Sequence, residues 1–335
     1  MLQLFSQEQT NKFINKKEGE KKLGEYISVI SNRENLAYEI ENCDCPFVIL
    51  GIPEDIGIKV NGGIGGAHLS FFPAIEAFLN IHENQFIRGK DILILGFLDY
   101  LDTVETFTAD DDEKGHYLVK QIDKDVTEIV QLITSYNKTP IVIGGGQNSA
   151  YGILKGISLA KKETINAINL DVHTDLRKSE IRDSSNSFLF ALEDGFLDRY
   201  FMFGLHENYT PQYIFEYIHD QINIEYNMFE EMAIYGTTTF KSELQRAKNF
   251  ISEKSFGIEI DVDAIANFPS NISFPTGFSP EHVRRFIHTL GKLDNASYLH
   301  ISEANPMTET STNNKELIGK FISYLISDFI KAKNS

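Results

Sequence analysis

Short apolar runs recur along the chain, and many of them are rich in Ile, Val and Phe. Each run has the length of a strand, and together they predict eight strands, at residues 47–51, 91–97, 140–143, 165–170, 200–205, 222–226, 256–262 and 297–302. Between several of these runs apolar residues recur at helical spacing, notably over 114–136, 147–161, 238–253 and 280–291. Strands that alternate with helices indicate an α/β protein with a mainly parallel sheet.

The last helix has the clearest pattern. From residue 313 to 331, a single apolar stripe is formed by Leu317, Ile318, Phe321, Ile322, Leu325, Ile326 and Phe329. Asn313 or Thr312 is available as its N-cap. No Pro/Ser-rich linker or internal repeat interrupts the chain, so we predict a polar N-terminal arm over residues 1–40 and a single domain over 41–335.

Composition and charge exclude several classes of partner. The net charge of −17 repels phosphate backbones and anionic membranes, and the lysines form no basic stripe, so nucleic acid is not an expected partner. No run approaches the roughly 18 apolar residues that a membrane span requires. The acidity has two explanations, cation binding or a generally acidic surface, and we favour the second.

The two cysteines, Cys43 and Cys45, are separated by one residue. This spacing is too tight for an ordinary disulfide, and two cysteines are too few for a structural zinc site. The N-terminus also lacks a basic segment followed by an apolar stretch. We therefore expect unpaired cysteines and a cytoplasmic protein.

Chemistry-bearing residues follow two of the predicted strands. Asp171, His173 and Asp175 occupy alternate positions after one apolar run, and Asp261 and Asp263 follow another. Alternate residues of an extended segment share one face, so these side chains can converge. Carboxylates with one imidazole and no thiol suit a hard divalent cation such as Mn²⁺. Turn bonding at strand ends is the alternative role, but two motifs in register favour metal binding.

Other strand exits carry further polar groups. In an open parallel sheet the carboxyl ends of the strands lie at one edge, where residues 144–148, 171–175, 204–208, 261–263 and 303–306 are expected to meet. The glycine run at 144–146 lacks the Lys-Ser/Thr of a P-loop and the spacing of a dinucleotide fingerprint. These glycines instead suit a close approach of the backbone to a metal centre.

From about residue 47 to 331, the order of these motifs resembles the ureohydrolase family, which comprises arginases, agmatinases and formimidoylglutamases. The family motifs Gly-Gly-x-His, Asp-x-His-x-Asp and Asp-x-Asp correspond here to residues 144–147, 171–175 and 261–263. Closer similarity to the formimidoylglutamase branch lies in residues 51–57, 61–67, 204–208 and 302–306. The resemblance implies a three-layer α/β/α domain with an eight-stranded, mainly parallel sheet, and a homo-oligomer.

The resemblance also implies a ligand set for one or two Mn²⁺ ions per chain. One ion would be held by Asp171, His173, Asp261 and Asp263, with Asp171 and Asp261 bridging to a second ion at Asp175. Family members complete that second site with the histidine of the first motif, where this chain has Gln147. A neutral amide is the weaker donor, so we expect the second site to be weakened. Gln147 is either a poor ligand or a cap for the following helix, and we favour the cap.

Two further positions depart from the family pattern. Close relatives place a proton-transferring histidine at the position of Asp183, so Asp183 is either a catalytic acid with a raised pKa or a loop acid. Ile64 lies in a glycine-rich loop where the family tends to have an arginine that helps to bind a substrate carboxylate.

The substrate pocket is assigned by the same resemblance. Glu303 corresponds to the acid that pairs with the amidine or guanidinium of the substrate. Asn61, His206 and Glu207 are predicted to shape the pocket, although for His206 a structural surface role is the alternative.

These features predict a Mn²⁺-dependent hydrolase of a linear amidine or guanidine C–N bond. The resemblance favours a formimidoylglutamase-like reaction, which converts N-formimidoyl-glutamate to glutamate and formamide. The alternative is a degenerate ureohydrolase fold that binds one metal or a metabolite without turnover, a reading that the departures at positions 147, 183 and 64 motivate. A purely structural module is disfavoured because the Asp set is retained.

Overall fold

The computed structural model describes residues 1–30, 32–308 and 313–335, without the side chain of Asp112. In these ranges ten strands form one sheet: β1 Leu2–Leu4, β2 Ser28–Val29, β3 Phe47–Ile52, β4 Ile92–Leu98, β5 Thr139–Gly144, β6 Ile165–Leu170, β7 Leu197–Leu205, β8 Ile224–Met228, β9 Phe256–Asp261 and β10 Ala296–Ser302. The order across the sheet is β1-β4-β3-β5-β10-β9-β6-β7-β8, and β2 pairs with β4. Only β1 is antiparallel to its neighbour among the strand pairs described.

Helices connect the strands and cover both faces of the sheet. In chain order the described helices are α1 Gln7–Phe13, α2 Leu36–Asn42, α3 Ile56–Val60, α4 Phe71–Leu79, α5 Leu101–Thr106, α6 Asp112–Ser135, α7 Ser149–Lys161, α8 Ser187–Glu193, α9 Gln212–His219, α10 Phe229–Ala233, α11 Phe240–Ile251, α12 Pro280–Gly291 and α13 Asn314–Lys333. Apolar residues of α4, α11, α12 and α13 pack on one face, and those of α6, α7, α8 and α9 pack on the other.

The two-residue period of the strands divides the core. In β3, Phe47 and Ile49 belong to one hydrophobic cluster, whereas Val48 and Leu50 belong to the other. Successive side chains of a strand point to opposite faces, so a strand buried on both faces is apolar at nearly every position. The α/β class, the mainly parallel sheet and the three layers are confirmed. All eight predicted strands are present.

The sheet has ten strands instead of eight because two short strands lie in the first 40 residues. β1 pairs with β4 in antiparallel register, Leu2 opposite Leu98, and β2 pairs with β4 in parallel. Three- and two-residue strands are too short to give a periodic signal. The segment predicted as a polar arm therefore adds strands to the sheet of the main domain.

Two local predictions are corrected or only partly tested. Cys43 and Cys45 form a disulfide, so the expectation that they would be unpaired is wrong. Their Cα atoms are 5.2 Å apart, within the range that disulfides span. At α13 the N-cap is Asn313, without a capping hydrogen bond from its side chain, and Thr312 lies outside the described residues. No described helix is long and apolar enough to cross a membrane.

Candidate metal and active site

A cavity of about 440 Å³ opens at the carboxyl edge of the sheet. The exits of β5, β6, β9 and β10 bring Gln147, His173, Asp175, Asp261, Asp263 and Glu303 to its wall. The same cavity is also lined by Asn61, Arg177, Tyr209, Tyr213 and Ile272. Parallel strands end at the same edge, so residues distant in sequence meet there.

Asp171 and Asp261, which lie at the ends of β6 and β9, form turns by accepting the backbone N–H two residues later. Asp171 Oδ1 accepts the backbone N–H of His173 at 2.8 Å, and its Oδ2 accepts from Asn169 at 3.0 Å. Asp261 Oδ1 accepts the N–H of Asp263 at 2.7 Å. The turn bonding considered as an alternative role is therefore present. It occupies one oxygen of Asp261, and both roles are compatible because a carboxylate has several lone pairs.

Asp175 differs from the other acids in having a buried oxygen without a partner. Among the described residues its Oδ2 has no hydrogen bond, and its backbone is left-handed with φ of +51°. A strained backbone and an unsatisfied buried carboxylate are both costly, and they are typical of functional sites. Asp175 is thus placed to receive a ligand from the cavity.

The acids repel one another in the absence of a cation. Burial raises the pKa values of Asp175, Asp261 and Glu303 well above their ordinary range, and the neighbouring carboxylates raise them further. Burial raises the pKa of Asp263 to about 7, although His173 opposes this shift. A dication relieves such repulsion, and a hard one such as Mn²⁺ favours oxygen donors.

His173 provides the positive charge nearest to these acids. Its Nδ1 lies 3.4 Å from Asp171 Oδ1. Burial lowers the pKa of His173, but the hydrogen bond to Asp171 and the charges of Asp263 and Glu303 outweigh it and raise the pKa to about 9. Within the described ranges, no three His, Cys, Asp or Glu side chains stand together as a ready metal-binding cluster. The donor set fits a hard cation by its chemistry, and within it the side chains of His173 and Asp171 lie against each other.

Glu303 is fixed at the end of β10. Its Oε1 accepts the backbone N–H of Gln147 at 2.8 Å, and its own N–H donates to the carbonyl of Gly145 at 2.8 Å. The residue is buried, with a left-handed φ of +65°. This backbone turns the carboxylate into the cavity, where it can accept hydrogen bonds from a cationic substrate group.

The side chain of Gln147 does not cap the next helix, and both its amide nitrogen and its amide oxygen are hydrogen-bonded. Its Nε2 donates to Glu259 Oε2 at 3.3 Å, and its Oε1 accepts from the hydroxyl of Ser302. Helix α7 begins at Ser149, with Asn148 as N-cap and no capping hydrogen bond from a side chain. The favoured capping role is therefore wrong, because β9 and β10 offer the amide buried partners.

The sequence model of the arginase family matches residues 46–327. The chain belongs to the arginase family. Over 213 residues it is 27% identical to a formimidoylglutamase from Macrococcus caseolyticus, covering 62% of this chain and 66% of that protein. A formimidoylglutamase from Streptococcus pyogenes serotype M5 is 23% identical over 292 residues, 84% of each chain.

Solved structures agree with the fold of this arginase-family chain. Formiminoglutamase from Trypanosoma cruzi, crystallised with Mn²⁺, superposes with a TM-score of 0.71 at 19% identity, covering 93% of this chain and 99% of that one. Formimidoylglutamase from Bacillus subtilis gives 0.73 at 16% identity, covering 96% and 94%. At these identities the likeness establishes the arginase fold.

Asp183 stabilises a loop in this arginase-family chain. Its Oδ1 accepts both the backbone N–H and the hydroxyl of Ser185 at 2.7 Å. Ser184 and Ser185 reach the cavity wall, whereas Asp183 is not among the residues that line it. These contacts are those of a loop acid, and its role in proton transfer stays a prediction.

Of the three residues predicted to shape the substrate pocket, the structure brings one to the cavity. Asn61 lines it and accepts from Arg177 Nη1 at 2.9 Å. His206 is buried beside Phe229 and Phe274, and Glu207 accepts from the hydroxyl of Tyr235 at the surface. Neither His206 nor Glu207 is part of the described lining, although Tyr209 and Tyr213 of the same segment are.

Sequence reasoning overlooked Arg177. It is the one Lys or Arg among the residues found to line the cavity. Its position two residues after Asp175 continues the alternation of Asp171, His173 and Asp175, and that spacing could have identified it. The exposed Ile64 contributes no charge to the cavity, so Arg177 is the guanidinium available for an anionic substrate group.

Proposed function

We propose that this chain is a metal-dependent hydrolase of a linear amidine, acting like a formimidoylglutamase on N-formimidoyl-glutamate to give glutamate and formamide. One observation carries the proposal. A single cavity is lined both by buried acids, suited to a cation and an amidine, and by one guanidinium, that of Arg177. A substrate that is cationic at one end and anionic at the other matches this distribution of charge.

The residues have distinct roles in this proposal. Asp171, His173, Asp261 and Asp263 would hold a manganese ion, and Asp175 would contribute to a second. When bound, the metal supplies Lewis acidity that makes a hydroxide nucleophile available near neutral pH. The choice of manganese is supported by the oxygen-rich donor set and by the Mn²⁺ in the crystals of the Trypanosoma cruzi protein.

Glu303 and Arg177 would orient the substrate. The buried Glu303 carboxylate accepts hydrogen bonds from the amidine nitrogens, and this contact aligns the amidine carbon with the nucleophile. Arg177 donates to a carboxylate of the glutamate portion, while Asn61 holds the guanidinium at 2.9 Å from its side-chain oxygen. Two charged contacts at opposite ends leave few orientations for a small, flexible substrate.

The test is a product assay with metal analysis on the same sample. The full chain, purified with Mn²⁺, is incubated with N-formimidoyl-L-glutamate, and formamide and glutamate are measured. Arginine and agmatine are tested in parallel for urea release, because they are cationic amidine relatives that lack the second carboxylate. We expect formamide release to exceed urea release by at least tenfold. Metal-loaded protein without any release would contradict the proposal.

The alternative is an arginase-family fold that binds one metal or a metabolite without turnover. The Ser302 hydroxyl favours it, because its hydrogen bond already occupies one lone pair of the Gln147 amide oxygen, which is a weak metal donor. It predicts bound Mn²⁺, a binding signal for N-formimidoyl-glutamate in calorimetry, and no formamide. Metal analysis together with the formamide assay therefore distinguishes the hydrolase from the binding protein without turnover.

A cytoplasmic location and a homo-oligomer are further parts of the proposal. The acidic composition supports the first, while the Cys43–Cys45 disulfide bears on it directly, since reducing compartments keep thiols unpaired. Thiol titration of rapidly alkylated protein from its native cells would show free thiols if the location is reducing. Size-exclusion chromatography with light scattering gives the assembly state.

A further inference from the structure

A fully buried polar network lies beneath the acid wall, outside the roles assigned above. Glu259 is its centre: Oε1 accepts from the Tyr298 hydroxyl at 2.5 Å, and Oε2 lies 2.6 Å from His300 Nδ1. The Gln147 amide Nε2 donates to the same Oε2 at 3.3 Å. Glu259, Tyr298 and His300 are each 0% exposed. A buried carboxylate with three partners is held in one orientation.

Strand register explains where this network lies. Glu259 and His300 are paired neighbours on β9 and β10, and one pleat further along Asp261 is paired with Ser302. Residues two apart on a strand share a face, so Glu259 is on the same face as Asp261. Glu259 therefore lies two residues before Asp261, a predicted metal ligand, on the same face of β9. From this buried position it accepts a hydrogen bond from the Gln147 amide.

Gly144, the first residue of the 144–147 motif, makes room for this arrangement. A Cβ at Gly144 would lie 2.7 Å from His300 Nε2, a separation that real Cβ atoms do not show. The imidazole thus packs against the backbone at the end of β5. His300 is therefore held between that backbone and the Glu259 carboxylate, beside the strand exit that carries Gln147.

We propose that Glu259 is the positioning residue for Gln147, fixing its amide with the nitrogen toward the buried network and the oxygen toward Ser302 and the cavity. In this orientation the amide oxygen would be a donor to a cation held by Asp175 and Asp261. The reversed amide would present N–H groups, which repel a cation. Glu259 stands where a carboxylate would orient a metal-binding imidazole by accepting its second ring N–H.

This inference rests on the proposed metal-dependent function, but its readout is metal binding. The chelator-stripped full chain and the variants Gln147→His, Glu259→Gln and the double variant are titrated with Mn²⁺ by calorimetry and Mn²⁺ electron paramagnetic resonance. Removing a partner that orients a metal ligand typically weakens affinity about 10–100-fold. We expect Glu259→Gln to lower the affinity of the weakest-binding Mn²⁺ ion about tenfold. Gln147→His should raise the affinity of that ion at least about tenfold when Glu259 is present.

The double variant decides the outcome. If Glu259 orients the residue at position 147, the gain from histidine falls below about threefold once Glu259 is glutamine, since its orienting charge is lost. An equal gain in both backgrounds, or no effect of Gln147→His in either, would overturn the proposal. Tyr298→Phe is the matched control, because it removes one hydrogen bond from Glu259 and leaves the contact with Gln147.

A second variant covers the case in which Glu259→Gln fails to fold. Gln147→Asn shortens the side chain by one methylene, which withdraws the amide from Glu259 without changing a buried charge. It should lower the affinity of the same Mn²⁺ ion, and an unchanged affinity would overturn the proposal. Formamide release is measured separately, so coupling without release would reject only the proposed function, and release without coupling would reject only the positioning role.

Discussion

At the scale of single residues, the site concentrates buried carboxylates whose ionised forms a bound cation would stabilise. Burial and mutual repulsion raise the pKa values of Asp175, Asp261 and Glu303, and Asp175 Oδ2 has no partner in the described structure. Unpaired buried charge is among the most costly features of a folded protein. Residues that serve only stability are not expected to cluster in this way.

Glu303→Gln separates catalysis from stability. The amide keeps the acceptor for the N–H of Gln147 but loses the charge that pairs with the amidine. We expect kcat/KM to fall about 100-fold or more, the range for loss of one well-placed charge-stabilising group. Without metal, the melting temperature should stay equal or rise because one repulsive buried carboxylate is gone. A parallel fall in melting temperature would contradict this assignment.

Arg177→Ala tests the anionic end of the substrate. A charge-assisted hydrogen bond contributes about 1.5–3 kcal/mol, so KM for N-formimidoyl-glutamate should rise about 10–100-fold with little change in kcat. Steady-state kinetics with this variant and with Lys178→Ala, its neighbour outside the described cavity lining, provide the comparison. Lys178→Ala should behave like the native protein. An equal rise for an amidine lacking carboxylates would argue against Arg177 as the anion site.

At the scale of elements, a buried ion pair ties the loop after β6 to helices α6 and α7. Arg182 donates to both oxygens of Asp123 at 2.9 and 3.1 Å and to the carbonyl of Asn148 at 2.8 Å. The two side chains are 3% and 8% exposed. The pair thereby fixes the segment that brings Ser184 and Ser185 to the cavity.

Removing one partner of this pair should lower the free energy of unfolding far more than removing both. Arg182→Met leaves Asp123 buried without its counter-charge, which costs about 3–5 kcal/mol in the free energy of unfolding. Arg182→Met combined with Asp123→Leu should recover much of that loss, because no charge remains uncompensated. Urea unfolding of the two single variants and the double variant measures the coupling. Additive losses in the double variant would show that the pair does not act as a unit.

At the scale of the whole molecule, the acid cluster links stability to pH and to metal. Folding raises the pKa of Asp263 from its ordinary 3.8 to about 7, so between these values the folded chain binds more protons than the unfolded chain. The contribution of Asp263 to the free energy of unfolding is therefore complete at low pH, and it is lost as the pH rises through about 7. The pKa of His173, raised to about 9, acts in the same direction at higher pH.

The metal-free protein should consequently lose stability between pH 5 and 8. Each extra proton bound in the folded state changes the free energy of unfolding by about 1.4 kcal/mol per pH unit. Saturating Mn²⁺ should remove this slope by pairing with the ionised acids, and Asp263→Asn should flatten it without metal. Urea unfolding across this range, with and without Mn²⁺, measures both effects. Metal-free stability that increases with pH would contradict the account.

The sequence by itself determined the layered α/β fold and the sites where chemistry is concentrated. Strands that are buried on both faces of a parallel sheet are apolar at nearly every position, so the sequence shows them directly. The candidate ligands follow strands whose carboxyl ends lie at one edge of the sheet, namely Asp171, His173, Asp175, Asp261 and Asp263. Both signals are local, since each depends on residues that are neighbours along the chain.

Tertiary structure alone decided what those residues contact. The partners of Gln147 are Glu259 and Ser302, more than a hundred residues away, and no pattern near position 147 shows them. His206 packs against Phe229 and Phe274, and Glu207 bonds to Tyr235, so neither lines the cavity, whereas Arg177 does. Side-chain orientation depends on long-range packing and on strand register, which a local pattern of polar and apolar residues does not contain.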